Sequence, residues 1–338
     1  VGMVCSFIGM LGLAFSPSFI FVLLSVMLIG LGSAVFHPEG SRVAYMAAGV
    51  RRGLAQSIFQ VGGNSGQALA PVMTALIFVP LGQFGAVWFT FAAALAILIL
   101  MWLSAWYRQR IDSLSKGGTS SAAPPVPRER KRKIQGVMFL LIFFVFARSW
   151  YHSGISSYFP FFLIEEHGLN VEQAQMYIFL FLAAGALGTL LGGPLADRFG
   201  KRNVLVFSML GSAPLSLCLP YADSFWSYPI LFVSGLIVLS SFSVIVVYAQ
   251  ELIPGKIGTV SGLMIGLAFG MGALGAAALG WLAEAFGVMF TMQLISFLPL
   301  FGLVAFLLGR PIPAANHHNG VALRVVIRPP LVRFTESV

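Results

Sequence analysis

The stretch "GGPLADRFGKRN", residues 192–203, separates two long apolar runs with one acidic and three basic side chains. Apolar runs of roughly 18–25 residues are the expected signature of helices that cross a bilayer. A short charged turn between two such runs marks the end of one crossing and the start of the next. The number of runs, and the side on which their charged turns lie, therefore decide the fold.

The composition of the chain agrees with a membrane protein. Hydrophobic residues make up 58% of the 338 residues and charged residues 9%, whereas about 25% of the residues in ordinary soluble domains are charged. The apolar runs are continuous rather than alternating, and only helices or closed barrels satisfy the backbone in hydrocarbon. We therefore predict an all-α integral membrane fold.

Ten apolar runs are predicted to span the membrane. They cover roughly residues 1–15, 18–36, 54–79, 84–107, 134–164, 171–195, 203–221, 226–248, 257–285 and 288–309. Because the first run is short and the chain opens without an initiator methionine, we expect the true start of the protein to lie upstream.

The predicted organisation has four parts. Residues 1–108 hold four spans, residues 135–310 hold six, and residues 311–338 form a cytoplasmic tail. Between the two sets of spans, residues 109–134 are rich in Ser, Gly, Pro and basic residues. That composition is typical of a flexible, solvated linker, which we place in the cytoplasm.

The lysines and arginines predict the orientation. If the connection at 16–18 faces outwards, 19 of the 20 Lys and Arg residues fall on inner connections or on the tail. Positive charge is retained on the cytoplasmic side, so we expect both chain ends to be cytoplasmic. The net charge of +9 thus flanks a membrane, which argues against nucleic acid as a partner.

A weak internal repeat relates two parts of the chain. Aligning Gly49 with Gly255 also aligns Gly66 with Gly272, and Glu39 then corresponds to Glu251 if the second connection is six residues shorter. Each glutamate lies at the inner end of an apolar run. Weak internal symmetry is typical of repeat-built secondary transporters. In both copies, small residues follow at four-residue spacing and predict flat faces that another helix approaches closely: Gly62 and Gly66 in the first copy, and Gly258, Gly262, Gly266 and Gly270 in the second.

The run from Gly193 to Arg202 resembles the cytoplasmic loop motif of the major facilitator superfamily, G-x-L-A-D-R-x-G-[RK]-[RK]. Members of that superfamily have twelve spans in two pseudo-symmetric six-helix halves, with this motif after the second and the eighth span. The resemblance therefore implies a major facilitator fold of which about ten spans are present and the first two are missing.

Four further stretches resemble the fosmidomycin resistance proteins, a bacterial efflux branch of that superfamily: "FHPEGSRVA", "GLAQSIFQVGGNSG", "VYAQELIPGKIGTVSGL" and "AFGMGALGAA". This resemblance implies proton-driven efflux of a fosmidomycin-like anionic phosphonate across the bacterial cytoplasmic membrane. Two alternatives stay open. One is an importer or exchanger of a small organic anion, and the other is a membrane protein fragment that does not transport.

The loop motif also has a physical interpretation. Gly193 and Gly200 permit a tight turn between helices. Asp197 can meet the positive N-terminus of a neighbouring helix, while the basic residues meet helix C-terminal carbonyls or lipid phosphates. We expect Arg198, Lys201 and Arg202 to act in this way, and the loop to latch one state of the protein.

Arg148 is the one basic residue inside a predicted span. A charge near the bilayer centre costs about 2.5–3.5 kcal/mol on insertion scales, so it normally faces a cavity or a partner. His152 and Ser156 follow at four-residue spacing on the same face, flanked by Tyr151 and Tyr158. Arginine suits a phosphonate because its fork binds two oxygens at once. Either these residues bind the substrate, or Arg148 pairs with a buried carboxylate.

The third span carries amides at a helical spacing, Gln56, Gln60 and Asn64, with Gln67 one turn further on. Because amides are unfavourable against lipid, the stripe should face the interior of the bundle. Two interpretations stay open: the stripe lines a substrate path, or it holds helices together.

The segment "FHPEGSR" is interpreted as a helix end at an inner gate, where Pro38 bends or stops the helix. Glu39 and Glu251 are either interfacial carboxylates paired with Arg42 and Lys256, or a protonation switch. His37 and His152 are the other candidate proton carriers.

The sequence contains no nucleophile triad, no phosphate-cradling loop and no cluster with metal-ligand spacing, so an enzyme, a metal site and a bound cofactor are not predicted. The expected partners are an anionic small molecule, protons and the lipid bilayer, and the expected state is a monomer.

Overall fold

The computed structural model describes residues 1–117 and 128–308. Ten helical segments follow one another there: α1 (Gly2–Ala14), α2 (Phe19–Ala47), α3 (Arg52–Met73), α4 (Val87–Gly117), α5 (Arg128–His167), α6 (Val171–Phe199), α7 (Lys201–Tyr221), α8 (Ser224–Leu252), α9 (Ile257–Phe286) and α10 (Val288–Leu307). A π-helical turn at Thr74–Phe78 and a 3₁₀ turn at Gly82–Ala86 connect α3 to α4.

Eight helices in the described ranges are long and apolar enough to cross a membrane. Of the ten segments, α1 is too short at 13 residues, and α3 is long enough at 22 residues but too polar. The all-α integral membrane fold is therefore confirmed.

Helix α2 runs further than the apolar pattern predicted. Pro38 does not end α2, which continues to Ala47; the prediction of a helix end at "FHPEGSR" is wrong. The ring of Pro38 lies beside Gly262 of α9, in ordinary contact with the position a β-carbon would take there. A proline inside a helix removes one backbone hydrogen bond and bends the helix without necessarily ending it.

The segment predicted as a linker is helical at both ends. Helix α4 continues to Gly117 and α5 begins at Arg128, where Lys133 and Glu129 form an i,i+4 ion pair with 2.7 Å between Nζ and Oε1. Such pairs support helices that leave the membrane. Residues 118–127, and the predicted tail at 311–338, lie outside the described residues.

The charged turns meet at one end of the bundle, which we call the basic end. It comprises the α2–α3 turn at 48–51, the α6–α7 turn at Gly200 and the α8–α9 turn at 253–256. Gly200 has a φ of +89°, which favours glycine and lets α7 begin directly where α6 ends. Ion pairs between residues of different turns, described below, show that the turns lie together.

The six-helix group α5–α10 contains most of the buried core. One apolar cluster near the basic end includes Leu141, Met209 and Ile245, and a second cluster towards the other end includes Ile155, Phe181 and Leu231. The four-helix group α1–α4 exposes large apolar side chains instead, with Trp102 81% exposed. An apolar outer surface is what a bilayer requires. The two groups meet mainly through α3 against α6 and α8, and through α2 against α9.

Candidate functional site

Asp197, near the end of α6, caps the first turn of α3. Its Oδ1 accepts from the amide of Gly53 and its Oδ2 from the amide of Leu54, each at 3.1 Å. The first amides of a helix have no partner inside the helix, and the helix dipole favours an anion there. The predicted contact of Asp197 with a helix N-terminus is present, and it joins the six-helix group to the four-helix group.

Gly193 brings α6 and α3 together one turn before Asp197. A β-carbon on Gly193 would collide with the carbonyl oxygen of Gly53. The backbone amide of Gly193 donates to Ser57 Oγ at 2.9 Å. Ser57 Oγ also lies 2.9 Å from Ser243 Oγ of α8. The prediction that Gly193 forms the turn is wrong, because it lies inside α6. Its function is the close approach of two helices, and Gly200 alone forms the turn.

Glu251 of α8 carries two ion pairs at the basic end. Its Oε2 lies 3.0 Å from Lys201 Nζ of α7, and its Oε1 lies 3.7 Å from Arg52 Nη1 of α3. The pairing with Lys256 predicted from sequence neighbourhood is wrong, since α8 ends at Leu252 and presents Glu251 to α3 and α7. The Arg52 pair crosses between the two helix groups, whereas the Lys201 pair lies within one.

Glu39 of α2 stays within the four-helix group. Its Oε1 lies 3.6 Å from Arg42 Nη1, as the sequence predicted, and its Oε2 accepts from the hydroxyl of Tyr107 of α4 at 2.8 Å. The Arg42 guanidinium lies 5.9 Å from the centre of the Tyr107 ring. These contacts bind α2 to α4, and α2 places both charged residues beside Gly258 at the start of α9.

His37 lies between the two helix groups. Its Nδ1 lies 2.9 Å from Ser33 Oγ and 3.0 Å from the Ser33 carbonyl oxygen. Its ring centre lies 5.6 Å from that of Phe269 on α9, edge to face. A change of charge on His37 would therefore act directly on the α2–α9 interface.

Four buried polar side chains from four helices meet behind the ion pairs. We call them the polar knot: Ser41 of α2, Gln56 of α3, Gln250 of α8 and Ser261 of α9. Gln250 Nε2 donates to Ser41 Oγ at 3.0 Å and to Ser261 Oγ at 2.7 Å, and Ser41 Oγ lies 3.1 Å from Gln56 Oε1. Buried polar groups stabilise a structure only while their partners are in place. The knot therefore favours a closed basic end.

Arg148 lies near the middle of α5 and is 6% exposed. Its guanidinium lies over the ring of Phe242 on α8, 4.7 Å from the ring centre. It forms neither a hydrogen bond nor an ion pair with any described residue, and its Nε is buried. The carboxylate partner considered from the sequence is thus not found in the described ranges.

The neighbours of Arg148 fall into two sets. His152 and Ser156 are half-buried; His152 has its ring 5.9 Å from that of Phe181, and Ser156 Oγ has no partner in the described part of the chain. Tyr151 is fully buried in the core of the six-helix group, and the hydroxyl of Tyr158 donates to the carbonyl of Ala276. The structure thus places Tyr151 in the core and bonds Tyr158 to α9, rather than bringing either tyrosine to the Arg148 guanidinium.

The amide stripe of α3 faces the six-helix group over its first three members. Gln56 and Gln60 are 1% and 5% exposed, and Asn64 Nδ2 donates to Thr189 Oγ1 of α6 at 2.6 Å. Gln67 is exposed. The stripe therefore holds helices together at Gln56 and Asn64.

Two basic residues of the loop motif have separate contacts. Arg202 Nη2 donates to the carbonyl oxygen of Phe306 at the end of α10, at 2.8 Å, which is the contact with a helix C-terminal carbonyl that the sequence predicted. Arg198 is exposed and lies over the ring of Phe199 at 5.2 Å.

Comparison with known proteins agrees with this architecture. The family model described as Major Facilitator Superfamily matches residues 1–276. The chain belongs to this superfamily.

Two bacterial relatives support the assignment. A Bacillus subtilis protein, the uncharacterized MFS-type transporter YfnC, is 58% identical over 308 residues, covering 91% of this chain and 75% of that protein. The fosmidomycin resistance protein of Escherichia coli is 45% identical over 309 residues, with the same coverage.

A solved structure shows the same major facilitator fold. The human organic anion transporter MFSD10 (TETRAN) superposes with a TM-score of 0.68 at 18% sequence identity, covering 91% of this chain and 75% of that one. The fold and the family resemblance predicted from the loop motif are therefore confirmed, and the chain is a membrane transporter of the major facilitator superfamily.

Several residues of the site were not predicted. Ser41, Gln250 and Ser261 of the polar knot, and Phe242 under Arg148, have no charge or motif that sets them apart. Of these residues, Gln250 could have been predicted from the sequence, because an amide beside a glutamate at the end of an apolar run needs a buried partner.

Proposed function

We propose that this chain is part of a proton-driven exporter of small anionic phosphonate-type compounds in the bacterial cytoplasmic membrane. The basic end faces the cytoplasm, both chain ends are cytoplasmic, and the transporter works as a monomer. The observation that carries the proposal is Arg148, a buried guanidinium without an anionic partner among the described residues.

The environment of Arg148 favours an anionic ligand. A charge inside a membrane is unfavourable unless something compensates it. The Phe242 ring compensates part of the charge of Arg148 through its negative face. The planar guanidinium still offers donors in a fork that fits two oxygens of a phosphonate or phosphate. His152, one turn further along α5, supplies a further polar group beside that position, and Ser156 follows a second turn along, about 12 Å from Arg148.

The relatives agree with this chemistry. The Escherichia coli protein that is 45% identical is named for resistance to fosmidomycin, a phosphonate. Expulsion of the compound is the simplest way in which a membrane transporter confers resistance. We therefore assign the same direction and substrate class to this chain.

The contacts at the basic end provide the gate. Asp197, Gly193, the Arg52–Glu251 pair and the polar knot hold the two helix groups together there. Opening to the cytoplasm requires these contacts to break together. In this mechanism, protonation of His37, Glu39 or Glu251 weakens the ion pairs and the α2–α9 interface, and so couples the proton gradient to the gate.

Accumulation of a labelled phosphonate in cells tests this function. Cells that express the natural protein should accumulate less fosmidomycin than control cells, and an uncoupler that dissipates the proton gradient should abolish the difference. Arg148→Lys should accumulate as much as control cells at equal protein level in the membrane, while Arg128→Gln, at an exposed position at the start of α5, should behave as wild type. Higher accumulation in the expressing cells would indicate import, and wild-type behaviour of Arg148→Lys would contradict the role of Arg148.

A further inference from the structure

A groove runs along the outer surface of the six-helix group, between α7 and α10, starting at the basic end. It has a volume of about 450 Å³ and is lined by Arg202, Asn203, Val206, Phe207, Leu210, Gly211 and Phe306. None of the contacts of the proposed gate or of Arg148 involves its apolar lining. Pockets of roughly 300–1,000 Å³ hold small ligands in proteins.

The lining changes from polar to apolar with depth. Arg202 and Asn203 stand in the first turn of α7, at the basic end, and Val206, Phe207 and Leu210 follow over the next two turns. A helix rises 1.5 Å per residue, so the apolar part extends roughly 10 Å from Arg202 towards the membrane centre. Phe207 and Phe306 are 57% and 53% exposed on this outer face. The groove therefore presents a cation at the height of lipid headgroups and apolar walls at the height of acyl chains.

Arg202, like Arg198, has no carboxylate partner among the described residues, and Arg202 lines the groove. Lys201 is paired with Glu251 at 3.0 Å, and Arg198 lies over Phe199. Arg202 donates to the Phe306 carbonyl, but no carboxylate lies within 4.0 Å of it in the described ranges, and its Nε is buried without a hydrogen-bond partner there. A phosphate oxygen at the mouth of the groove would compensate the charge of Arg202.

We propose that this groove binds one anionic phospholipid of the leaflet at the basic end. The phosphodiester contacts Arg202 and Asn203, and one acyl chain lies between Val206, Phe207, Leu210 and Phe306. Basic pockets between membrane helices on the cytoplasmic side bind anionic lipid headgroups by this combination of charge and shape. A lipid bound there would also connect the start of α7, next to the loop motif, to the end of α10.

Native mass spectrometry of the purified natural protein tests the site, with phosphatidylglycerol and phosphatidylcholine of identical acyl chains as probes. Wild type should bind one phosphatidylglycerol more tightly than phosphatidylcholine. Arg202→Gln should weaken phosphatidylglycerol binding by about five-fold, the effect of one basic residue near a membrane surface. Val206→Trp, which fills the groove, should abolish the tight site, whereas the controls Arg198→Gln and Val233→Trp on another exposed face should not change it.

A second measurement does not depend on the variants folding. Phosphatidylglycerol with a photoreactive group in its acyl chain should label peptides of α7 and α10 in the wild-type protein. Equal binding of both lipids, equal effects of Arg198→Gln and Arg202→Gln, or labelling confined to other helices would overturn the proposal. Full competition by inorganic phosphate would also overturn it, because the site would then hold a soluble anion rather than a lipid.

Discussion

Gly193 of α6 lies against Gly53 of α3 so closely that a methyl group on Gly193 would collide with the Gly53 carbonyl oxygen. This contact joins the two helix groups at the basic end. Overpacking a close contact costs about 1–3 kcal/mol, so Gly193→Ala should shift the closed–open equilibrium at the basic end towards open by roughly five- to a hundred-fold.

Spin labels at Val50 and Asn203, in a background without Cys5 and Cys218, measure this shift as a longer distance between the basic-end turns. Transport by Gly193→Ala should fall in parallel. Gly66→Ala is the matched control, since a β-carbon there would meet no atom of residues 1–117 and 128–308 within 4 Å. Equal distance distributions for both variants would show that the glycine contact does not limit closure.

The carboxylate of Asp197 stabilises the same interface through two backbone amides of α3. Removal of a helix cap costs about 0.5–2 kcal/mol, so Asp197→Ala should increase the open fraction at the basic end by about five-fold while membrane insertion is unchanged. Asp223→Ala removes a cap of the same type from α8, where Asp223 Oδ1 accepts from Trp226 at 2.8 Å, within one helix group. Asp223→Ala should lower the melting temperature without changing the open fraction. If Asp197→Ala and Asp223→Ala shift the open fraction equally, Asp197 does not latch the two helix groups.

The two ion pairs of Glu251 allow a contact between the helix groups to be compared with a contact within one group. Arg52→Gln breaks the pair that crosses between groups, and Lys201→Gln breaks the pair within the six-helix group. Because partly exposed ion pairs contribute about 0–1 kcal/mol, Arg52→Gln should raise the open fraction up to about five-fold, and less so at high salt. Lys201→Gln should change thermal stability instead. The reverse pattern in the spin-label distances would contradict this assignment.

The polar knot should behave as one unit. Ser41→Ala or Gln250→Leu leaves buried polar partners unsatisfied and should reduce the free energy of unfolding by about 1–3 kcal/mol each. The double variant should lose less than the sum, because removing both partners leaves fewer orphaned groups. Ser208→Ala is the control, since the Ser208 hydroxyl donates to the Leu205 carbonyl of its own helix and to no other described residue. Additive losses in denaturant titrations would show that Ser41 and Gln250 are not coupled.

The sequence predicted the features that depend on charge and on local pattern. Segregated lysines and arginines, continuous apolar runs and the loop motif lead to the fold, and the capping role of Asp197 follows from the preference of helix N-termini for anions. Arg148 stands out because a single charge in an apolar helix has no local explanation.

Features that depend on tertiary packing were not predictable in the same way. Gly62 and Gly66 have the spacing of a packing face but meet no described residue within 4 Å, while Gly193, next to the four-spaced pair Gly188 and Gly192, forms a tight contact. The spacing alone therefore does not show which glycines pack closely. Pro38 suggested a helix end, yet α2 continues through it to Ala47 and packs against α9. The partner of Glu251 could not be read from neighbouring residues, because α3 and α7 bring Arg52 and Lys201 from distant parts of the chain.

The most direct test of the proposed function is the affinity of the purified natural protein for fosmidomycin, measured by isothermal titration for wild type, Arg148→Gln, Arg148→Lys and the exposed control Arg198→Gln. Loss of one partner of a buried charge pair costs about 2–5 kcal/mol, so we predict at least about thirty-fold weaker binding for Arg148→Gln, a smaller loss for Arg148→Lys and none for Arg198→Gln. Binding by Arg148→Gln within two-fold of wild type would contradict the assignment of Arg148 as the anion-binding residue.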